Sequence, residues 1–362
     1  MFNLIRNKKL HPFGLDISER SIKIMQLSPQ KTGLQPTAFS YVEVPANLIN
    51  NHVITNEEKL AALVSKAVAA ARKLDSHYAV LSIPEAKSFV RVVSLPKMDL
   101  SEIDGALPWE LEQDIPVPIE HVYIDWQLVE ETEDHIKVLA MAAPKDYIDA
   151  LVEVLRLAKI KPVAFELESQ GTARAAVGPE DKESSVLMVD IASTVTSLAV
   201  TSKGILEYTS SIPIGGNSLT DSIAQSLGIP AKEAEKKKIE AGLTSDDKKG
   251  NVRQAILSVL DNIVDEMRNV IKYYDDHSLF KQPISKIILC GGGSKLAGAA
   301  DYIAARLNVG AGQVVSRVVV CDSWINVADP AHRSGFPTQD EALEYTTAIG
   351  LALRGKIFDE NN

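Results

Sequence analysis

The alternation of apolar and polar positions predicts two copies of one α/β unit. The first copy has three strands, a helix and a fourth strand. Its elements are a hairpin over Phe13–Ile24, a strand over Pro36–Val44, a helix over Leu60–Leu74 and a strand over His77–Ile83. Thr55 and Glu58 form a capping-box signal ahead of that helix. The second copy repeats the order over Val186–Val200, Ile205–Ile214, Asn217–Leu227 and Lys286–Cys290. We therefore expect a duplicated β-β-β-α-β fold.

Other segments interrupt or follow the two copies. Glu85–Glu166 predicts a self-contained α+β subdomain, with elements over Phe89–Leu95, Leu100–Gln113, Val122–Val129, Ile136–Ala142 and Lys145–Leu157. A long amphipathic helix over Asn251–Asp275 interrupts the second copy. The last predicted helix covers Asp340–Gly355, in which Gly350 indicates a close packing contact and Gly355 a C-terminal stop.

These patterns give provisional domain limits. We expect a first lobe over 1–84, an inserted subdomain over 85–166 and a connection that completes the first lobe over 167–185. The second lobe covers 186–229 and 286–339, with a helical insertion over 230–285. The C-terminal helix, over 340–362, is expected to pack back on the first lobe.

Composition narrows the class of protein. The 362 residues are 45% hydrophobic and 24% charged, which is typical of a soluble globular protein of two or three domains. We find no apolar run of spanning length and no signal peptide, and therefore expect a cytoplasmic protein. The net charge of −10 argues against nucleic acid as a partner. Cys290 and Cys321 have neither metal-ligand nor disulfide spacing, and we interpret them as core thiols.

Candidate chemistry lies at the turns of the two hairpins. Asp16 and Asp190 occupy equivalent positions, and Lys23 returns beside Asp16 on the second strand. If the two turns face a common cleft, their carboxylates suit hydrated Mg²⁺ and their backbone N–H groups suit phosphates. The alternative is that each Asp only forms a turn.

Glycine-rich segments add a possible nucleoside site. A buried strand leads into Gly291, Gly292, Gly293 and Ser294, and three glycines in succession allow a ligand to approach the backbone. Gly215 and Gly216 form a second pair at a helix entrance. Glu235 and Lys238 lie on a short polar helix, where they either reach a ribose or base edge or form a solvated charged face.

These residues resemble the actin-like ATPase superfamily, and within it the FtsA and PilM families. Gly14–Ile17 with Lys23 resembles the first phosphate motif, Asp190–Thr194 the second, and Gly291–Ser294 the adenosine motif. Three phrases are similar to PilM in particular: Trp109–Ile119, Asp125–Gln127 and Ala348–Arg354. The resemblance implies two duplicated ribonuclease-H-like lobes with an inserted α+β subdomain of the FtsA and PilM type.

The resemblance also implies a site for ATP or ADP with Mg²⁺. Asp16 and Asp190 would hold Mg²⁺ through water, and Glu168 would orient the attacking water. The phosphate-binding positions carried over are Asp16, Ser18, Glu19, Lys23, Asp190, Ala192, Ser193 and Thr194. The adenosine-binding positions are Gly215, Gly216, Glu235, Lys238, Gly291, Gly292, Gly293 and Ser294.

The first motif departs from the family pattern. Ser18 replaces the usual Gly, and Glu19 replaces a Ser or Thr that would donate to phosphate. Two unit charges 4 Å apart repel by roughly 1 to 4 kcal/mol at effective dielectrics of 80 to 20. We therefore expect weak to moderate nucleotide binding and, at most, slow hydrolysis. Whether the protein is an enzyme stays open.

The functional hypothesis follows from the resemblance. It implies an adaptor of the type IV pilus inner-membrane platform, which captures the N-terminal cytoplasmic tail of a PilN-like membrane protein. Its partners would be that tail and other pilus platform proteins, and it would lie at the inner face of the cytoplasmic membrane through its partner, without a span of its own. An FtsA-like filament scaffold is an alternative, disfavoured because no C-terminal amphipathic helix is evident. A small-molecule kinase of the superfamily is a further alternative.

Overall fold

A computed structural model describes residues 11–31, 33–113, 115–243, 251–308, 317–328 and 335–360 of the chain. The described residues divide into two compact units. The first lies within Met1–Gly171, Ile205–Tyr208 and Thr347–Asn362, and the second within Thr172–Gly204 and Thr209–Thr346. Residues 1–10, 32, 114, 244–250, 309–316, 329–334 and 361–362 lie outside the described part.

The strands and helices of the described chain are numbered in order. The strands are β1 Phe13–Ile17, β2 Ser21–Gln30, β3 Gly33–Glu43, β4 Ile49–Asn50, β5 Val53–Ile54, β6 Tyr78–Ile83, β7 Phe89–Pro96, β8 Val122–Glu131, β9 His135–Pro144, β10 Lys161–Leu167, β11 Ser185–Ile191, β12 Thr196–Ser202, β13 Ile205–Ile212, β14 Ile284–Cys290 and β15 Val318–Val320. The helices are α1 Glu57–Ala70, α2 Ile103–Leu111, α3 Lys145–Leu157, α4 Glu168–Ala176, α5 Gly216–Leu227, α6 Ala231–Ala241, α7 Asn251–His277, α8 Ala299–Asn308, α9 Gln339–Ala342 and α10 Thr346–Glu360. Among these helices, none is long and apolar enough to cross a bilayer.

The first sheet has the strand order β10-β6-β1-β2-β3. β1 pairs antiparallel with β2 and parallel with β6, so the hairpin lies in the middle of the sheet. All five residues of β1 are buried, as expected for a strand covered on both faces. The apolar face of α1 packs on this sheet through Leu60, Val64 and Ala67.

The second sheet repeats the connectivity of the first. Its strand order is β13-β12-β11-β14-β15, and β11 is again antiparallel to its hairpin partner and parallel to β14. The fifth strands, β10 and β15, were not predicted, but they occupy equivalent edges. Cys290 and Cys321 are buried free thiols, in agreement with the sequence. The predicted duplication is therefore confirmed.

The inserted subdomain, comprising β7, β8, β9 and α2, is smaller than the sequence indicated. Its sheet order is β7-β9-β8, and its own core includes Ile103, Leu107 and Val138. We expected α3 to belong to it, but Leu151 and Val154 of α3 pack in the core of the first lobe. β10 likewise pairs with β6. The amphipathic pattern predicted the buried face of α3 but not the sheet that covers it.

Two predicted helix boundaries were wrong. α1 is capped by Asn56, whose side-chain oxygen accepts from the N–H of Lys59 at 2.8 Å, and not by Thr55. The Thr55 hydroxyl donates instead to the carbonyl oxygen of Asn47 at 2.8 Å. Gly355 does not end the last helix, because α10 continues to Glu360 and Gly355 is not in the left-handed conformation that a C-terminal glycine usually adopts.

Three glycines bring α10 into backbone contact with the rest of the first unit. A Cβ on Gly350 would overlap the carbonyl oxygen of Gly171 in α4. A Cβ on Gly14, in β1, would overlap the carbonyl oxygen of Ala348 in α10. The close packing contact that we predicted for Gly350 is therefore present, and it fixes α10 against β1 and α4.

We expect Gly350→Ala to lower the free energy of unfolding by about 2 kcal/mol or more, because overpacking exceeds the gain of about 1 kcal/mol in helix propensity. Denaturant unfolding followed by circular dichroism measures this. The control is Gly105→Ala in α2, where a Cβ meets no atom within 4 Å and only the stabilising propensity term remains. Equal effects of the two variants would contradict the packing account.

Candidate functional site

In the first unit, Asp16 lies at the end of β1 with 4% of its surface exposed. The β-register places Lys23 directly opposite, and its Nζ lies 3.2 Å from Asp16 Oδ2. Asp16 Oδ1 accepts from the hydroxyl of Ser82, on the parallel neighbour β6, at 2.9 Å. Both oxygens of the carboxylate are therefore held by protein groups, with the charge of Lys23 beside it.

The turn after Asp16 is closed by hydrogen bonds of its own. The N–H of Ser18 donates to the carbonyl oxygen of Ser21 at 2.9 Å, and the Ser18 hydroxyl lies 3.1 Å from the same oxygen. The N–H of Ser21 donates back to the Ser18 hydroxyl at 3.3 Å. The Ser18 groups predicted to face phosphate are thus engaged within the turn.

Glu19 turns toward the β4–β5 hairpin. Its Oε1 accepts from the backbone N–H of His52 at 3.1 Å, in a turn where Asn51 and His52 both have positive φ, 47° and 60°. Burial lowers the pKa of the His52 imidazole, the charge of Glu19 acts to raise it, and that of Lys87 acts to lower it. The carboxylate that replaces the family's hydroxyl therefore has a partner within the protein.

Glu168, the predicted water-orienting residue, is the half-buried first residue of α4. The hydroxyl of Tyr147, on α3, is affected by the charges of both Glu168 and Asp16. Burial raises the pKa of the Tyr147 hydroxyl, and the negative charges of Glu168 and Asp16 raise it further. The first unit therefore pairs Asp16 with Lys23, and the charges of Asp16 and Glu168 both act on Tyr147.

In the second unit, Asp190 is the penultimate residue of β11 and adjoins the glycine loop. Gly291 has φ of 75°, and a Cβ there would overlap Asp190 Oδ1. A Cβ on Gly293 would overlap the side chain of Ile191. Gly292 is exposed, while the hydroxyl of buried Ser294 donates to the carbonyl oxygen of Gly291 at 2.7 Å. The glycines are thus required by the approach of this loop to β11, and Ser294 closes the loop.

The turn over Ala192, Ser193 and Thr194 is attached to the start of α5. The N–H of Gly216 donates to the carbonyl oxygen of Ala192, and that of Asn217 to Ser193, each at 2.8 Å. A Cβ on Gly215 would lie 2.6 Å from the Ala192 carbonyl oxygen. These first amides of α5 therefore bind the turn.

Glu235 and Lys238 form a network at the same helix entrance. Lys238 Nζ donates to the carbonyl oxygen of Gly216 at 3.0 Å and lies 2.7 Å from Glu235 Oε2. The Thr220 hydroxyl accepts from Lys238 Nζ at 2.9 Å and donates to Glu235 Oε2. Burial acts to raise the pKa of Glu235, but its bonds to Lys238 and Thr220 outweigh this and lower it. Lys238, with 13% of its side chain exposed, does not belong to a solvated face.

Sequence reasoning missed the supporting residues Ser82, Tyr147 and Glu85, of which Glu85 accepts a hydrogen bond from the backbone N–H of Ser169 in α4. Each comes from an element that is distant along the chain from the residue it contacts, so no local spacing indicated it. Position along the chain was the signal that could have indicated two of them. Ser82 lies at the carboxyl end of the buried strand β6 and Glu85 lies just after it, where ligand sites of parallel sheets form.

Two of the phrases that resemble PilM, Asp125–Gln127 and Ala348–Arg354, contribute interacting charges in the first unit. Arg354 of α10 forms an ion pair with Glu166 of β10, which has almost no exposed side chain. Burial lowers the pKa of Arg354, and the negative charge of Asp125 on β8 acts in the opposite direction. The inserted subdomain, the first lobe and the last helix therefore contribute charged groups to one region, which we name the 125/166/354 surface. Asp125 is exposed in it, Arg354 is partly exposed, and Glu166 is buried beneath Arg354 as its ion-pair partner.

Comparisons with solved structures identify the fold of the chain. MreB5 of Spiroplasma citri bound to AMPPNP has a TM-score of 0.58 at 14% identity, over 98% of both chains. The ethanolamine utilization protein EutJ from Carboxydothermus hydrogenoformans has a TM-score of 0.55 at 18% identity, over 94% of this chain and 89% of that chain. The predicted actin-like fold is confirmed.

The family follows from a closer match. The family model described as Type IV pilus assembly protein PilM matches residues 14–356, and the chain belongs to this family. A chain of the PilM-PilN type IV pilus biogenesis complex is 25% identical with a TM-score of 0.80, over 96% of this chain and 99% of that chain.

Curated relatives are cell division proteins FtsA. The FtsA of Pseudomonas aeruginosa is 30% identical over 37% of both chains. That of Neisseria meningitidis is 26% identical over 53% of this chain and 48% of the relative. The chain thus matches about half or less of the length of these two relatives.

Glu19→Gln should lower the pKa of His52 further, because it removes a charge that raises it while burial and Lys87 remain. An NMR titration of the imidazole measures the shift. Glu131→Gln, on the distant β8, serves as the control and should leave His52 unchanged. An unchanged or raised pKa in Glu19→Gln would show that Glu19 does not act on this turn.

Proposed function

We propose that this protein is a cytoplasmic adaptor of the type IV pilus inner-membrane platform. It captures the N-terminal cytoplasmic tail of a PilN-like membrane protein and is thereby held at the inner face of the cytoplasmic membrane with other platform proteins. Membership of the PilM family and the similarity to a PilM-PilN complex over nearly the whole chain support this role.

The observation that carries the proposal is the 125/166/354 surface. It joins β8 of the inserted subdomain to β10 and α10, and it brings together two of the sequence phrases that are similar to PilM. In this proposal an extended tail lies between the first lobe and the inserted subdomain. β8 is an edge strand of its described sheet, and an extended peptide gains affinity from main-chain hydrogen bonds and specificity from pockets for alternate side chains.

Asp125→Lys should weaken binding of a synthetic PilN-type tail peptide by roughly tenfold or more, because it places a second cation beside Arg354. Fluorescence anisotropy measures the affinity. Glu131→Lys is the matched charge reversal at the far end of β8, where the exposed pair with Lys97 contributes little. If both variants bind like the parent, or if the parent binds no tail peptide, this role is wrong.

We further propose that ATP or ADP binds weakly to moderately with Mg²⁺. The residues within each unit have the chemistry that such a group needs. In the first unit, Asp16 would hold Mg²⁺ through water and Lys23 would neutralise phosphate. In the second unit, Asp190 would hold Mg²⁺ through water, and the loop over Gly291–Gly293 offers backbone without side chains. When bound, Mg²⁺ supplies charge neutralisation for the phosphates. Ser18 is engaged within its turn and Glu19 is held by His52, which favours low affinity and slow hydrolysis, if any.

Asp190→Ala should weaken nucleotide binding by roughly tenfold to a hundredfold, the equivalent of about 1.5 to 3 kcal/mol for a hydrogen bond to a charged group. Isothermal titration calorimetry with Mg-ADP and Mg-ATP measures it. Asp221→Ala, an exposed substitution on α5, is the control. An absence of binding heat from the parent at millimolar nucleotide would overturn the nucleotide proposal and leave the adaptor proposal untouched.

A second candidate is an FtsA-like filament scaffold, which the similarity to FtsA over part of the chain favours. Electron microscopy distinguishes it, because nucleotide-dependent filaments would support a scaffold and dispersed particles would support the adaptor.

A further inference from the structure

Glu85 is a buried acid just after β6, the strand whose Ser82 hydroxyl donates to Asp16. It follows Pro84 at the end of β6 and has 8% of its surface exposed. Its Oε1 accepts from the backbone N–H of Ser169, in the first turn of α4, at 2.7 Å. Its Oε2 is fully buried and accepts no hydrogen bond from the described residues.

Burying an ionised carboxylate with one oxygen unpaired is unfavourable in free energy. Removing a charged carboxylate from water without satisfying both oxygens costs several kcal/mol, and such groups commonly take up a proton instead. Burial raises the pKa of Glu85, although its contacts with Ser169 and Glu168 act to lower it. A proton on Oε2 would make this atom a hydrogen-bond donor.

The described groups that act on Glu85 supply no positive charge to stabilise its ionised form. The groups that act on the Glu85 carboxyl are Ser169 and Glu168, both on α4, and Glu168 is itself an acid. Beyond Glu168 lies Tyr147 of α3, which is neutral. Lys87, on the same turn as Glu85, acts on His52. Among the described groups that act on Glu85, none is a cation.

We propose that Glu85 is a positioning residue that keeps its proton at neutral pH and donates it in a hydrogen bond to the carboxylate of Glu168. One oxygen of Glu85 then holds the first turn of α4 through the N–H of Ser169. The other oxygen fixes the side chain of Glu168, the first residue of α4. Glu168 is thereby held ionised and oriented toward the Asp16 turn. The role in orienting water rests on the nucleotide site proposed above, whereas the protonation and the anchoring of α4 do not.

The competing account is an ionised Glu85 that stabilises α4 through the positive end of the helix dipole. The two accounts predict opposite pH dependence. A protonated acid binds its proton more tightly in the folded protein than its ordinary pKa of 4.5 implies. Its contribution to stability is then full below that value and is lost as the pH rises through the folded pKa. An ionised cap would contribute above its ordinary pKa and lose its contribution as the pH falls.

The test compares thermal unfolding of the full chain, Glu85→Gln and Glu85→Ala between about pH 5 and pH 8. Because Gln keeps an acceptor for Ser169 and a donor for Glu168, Glu85→Gln should gain stability relative to the parent as the pH rises, and should match or exceed it at pH 8. A Glu85→Gln variant that loses most at pH 8 would overturn the proposal. Glu58→Gln, an exposed acid in the first turn of α1, controls for an ordinary helix-terminal carboxylate.

Two further readouts separate positioning from simple stability. Infrared spectroscopy should show a protonated carboxyl band at pH 7 in the parent that is missing in Glu85→Gln. Hydrogen exchange of 168–176 should accelerate in Glu85→Ala and stay near the parent rate in Glu85→Gln. Absence of the band, or equal acceleration in both variants, would overturn the assignment.

Measurements of nucleotide hydrolysis test whether Glu85 positions Glu168 to orient water. Glu85→Ala should lower the turnover rate roughly tenfold to a hundredfold with nucleotide affinity unchanged, and Glu85→Gln should restore it. Equal turnover in Glu85→Ala and the parent would overturn the positioning role. If the parent binds no nucleotide, the nucleotide proposal fails on its own, and the infrared and exchange results still decide whether Glu85 carries the proton and anchors α4.

Discussion

The backbone contact between α10, β1 and α4 is the constraint on which the first unit depends. Gly14, Gly171 and Gly350 remove the side chains that would separate these elements, so α10 lies directly against the central strand of the sheet. That approach carries Arg354 to Glu166, and with it the last helix reaches the surface shared with the inserted subdomain. A C-terminal segment thus helps to build the surface that we assign to a partner.

The two candidate phosphate turns engage much of their own hydrogen-bonding capacity within the protein. In the first, Ser18 bonds to Ser21 and Glu19 to His52. In the second, the amides at the start of α5 bond to Ala192 and Ser193. Hydrogen bonds that are satisfied within a protein stabilise the local fold, and a ligand must compete with them. This favours a protein whose lobes are maintained for their shape and whose nucleotide affinity is low.

Much of the fold was predictable, because it is encoded in local periodicity. The duplicated hairpins, the pairing of Lys23 with Asp16 and the close contact at Gly350 all follow from alternation and residue size. Side-chain partners that are far apart along the chain were not predictable. Glu19 bonds to His52, 33 residues away, and Glu85 to Ser169, 84 residues away. The amphipathic pattern of α3 showed which face is buried, and tertiary packing decided that it covers the first lobe.

The central claim is that the 125/166/354 surface receives a membrane protein's tail whether or not nucleotide is present. Photo-cross-linking tests it most directly, with a PilN-type tail peptide that carries a photoreactive residue and with mass-spectrometric mapping of the products. The account predicts saturable cross-links to 122–131 and 346–355 in nucleotide-free protein. Cross-links concentrated on 190–195 and 291–294, or cross-links that appear only with ATP, would contradict it.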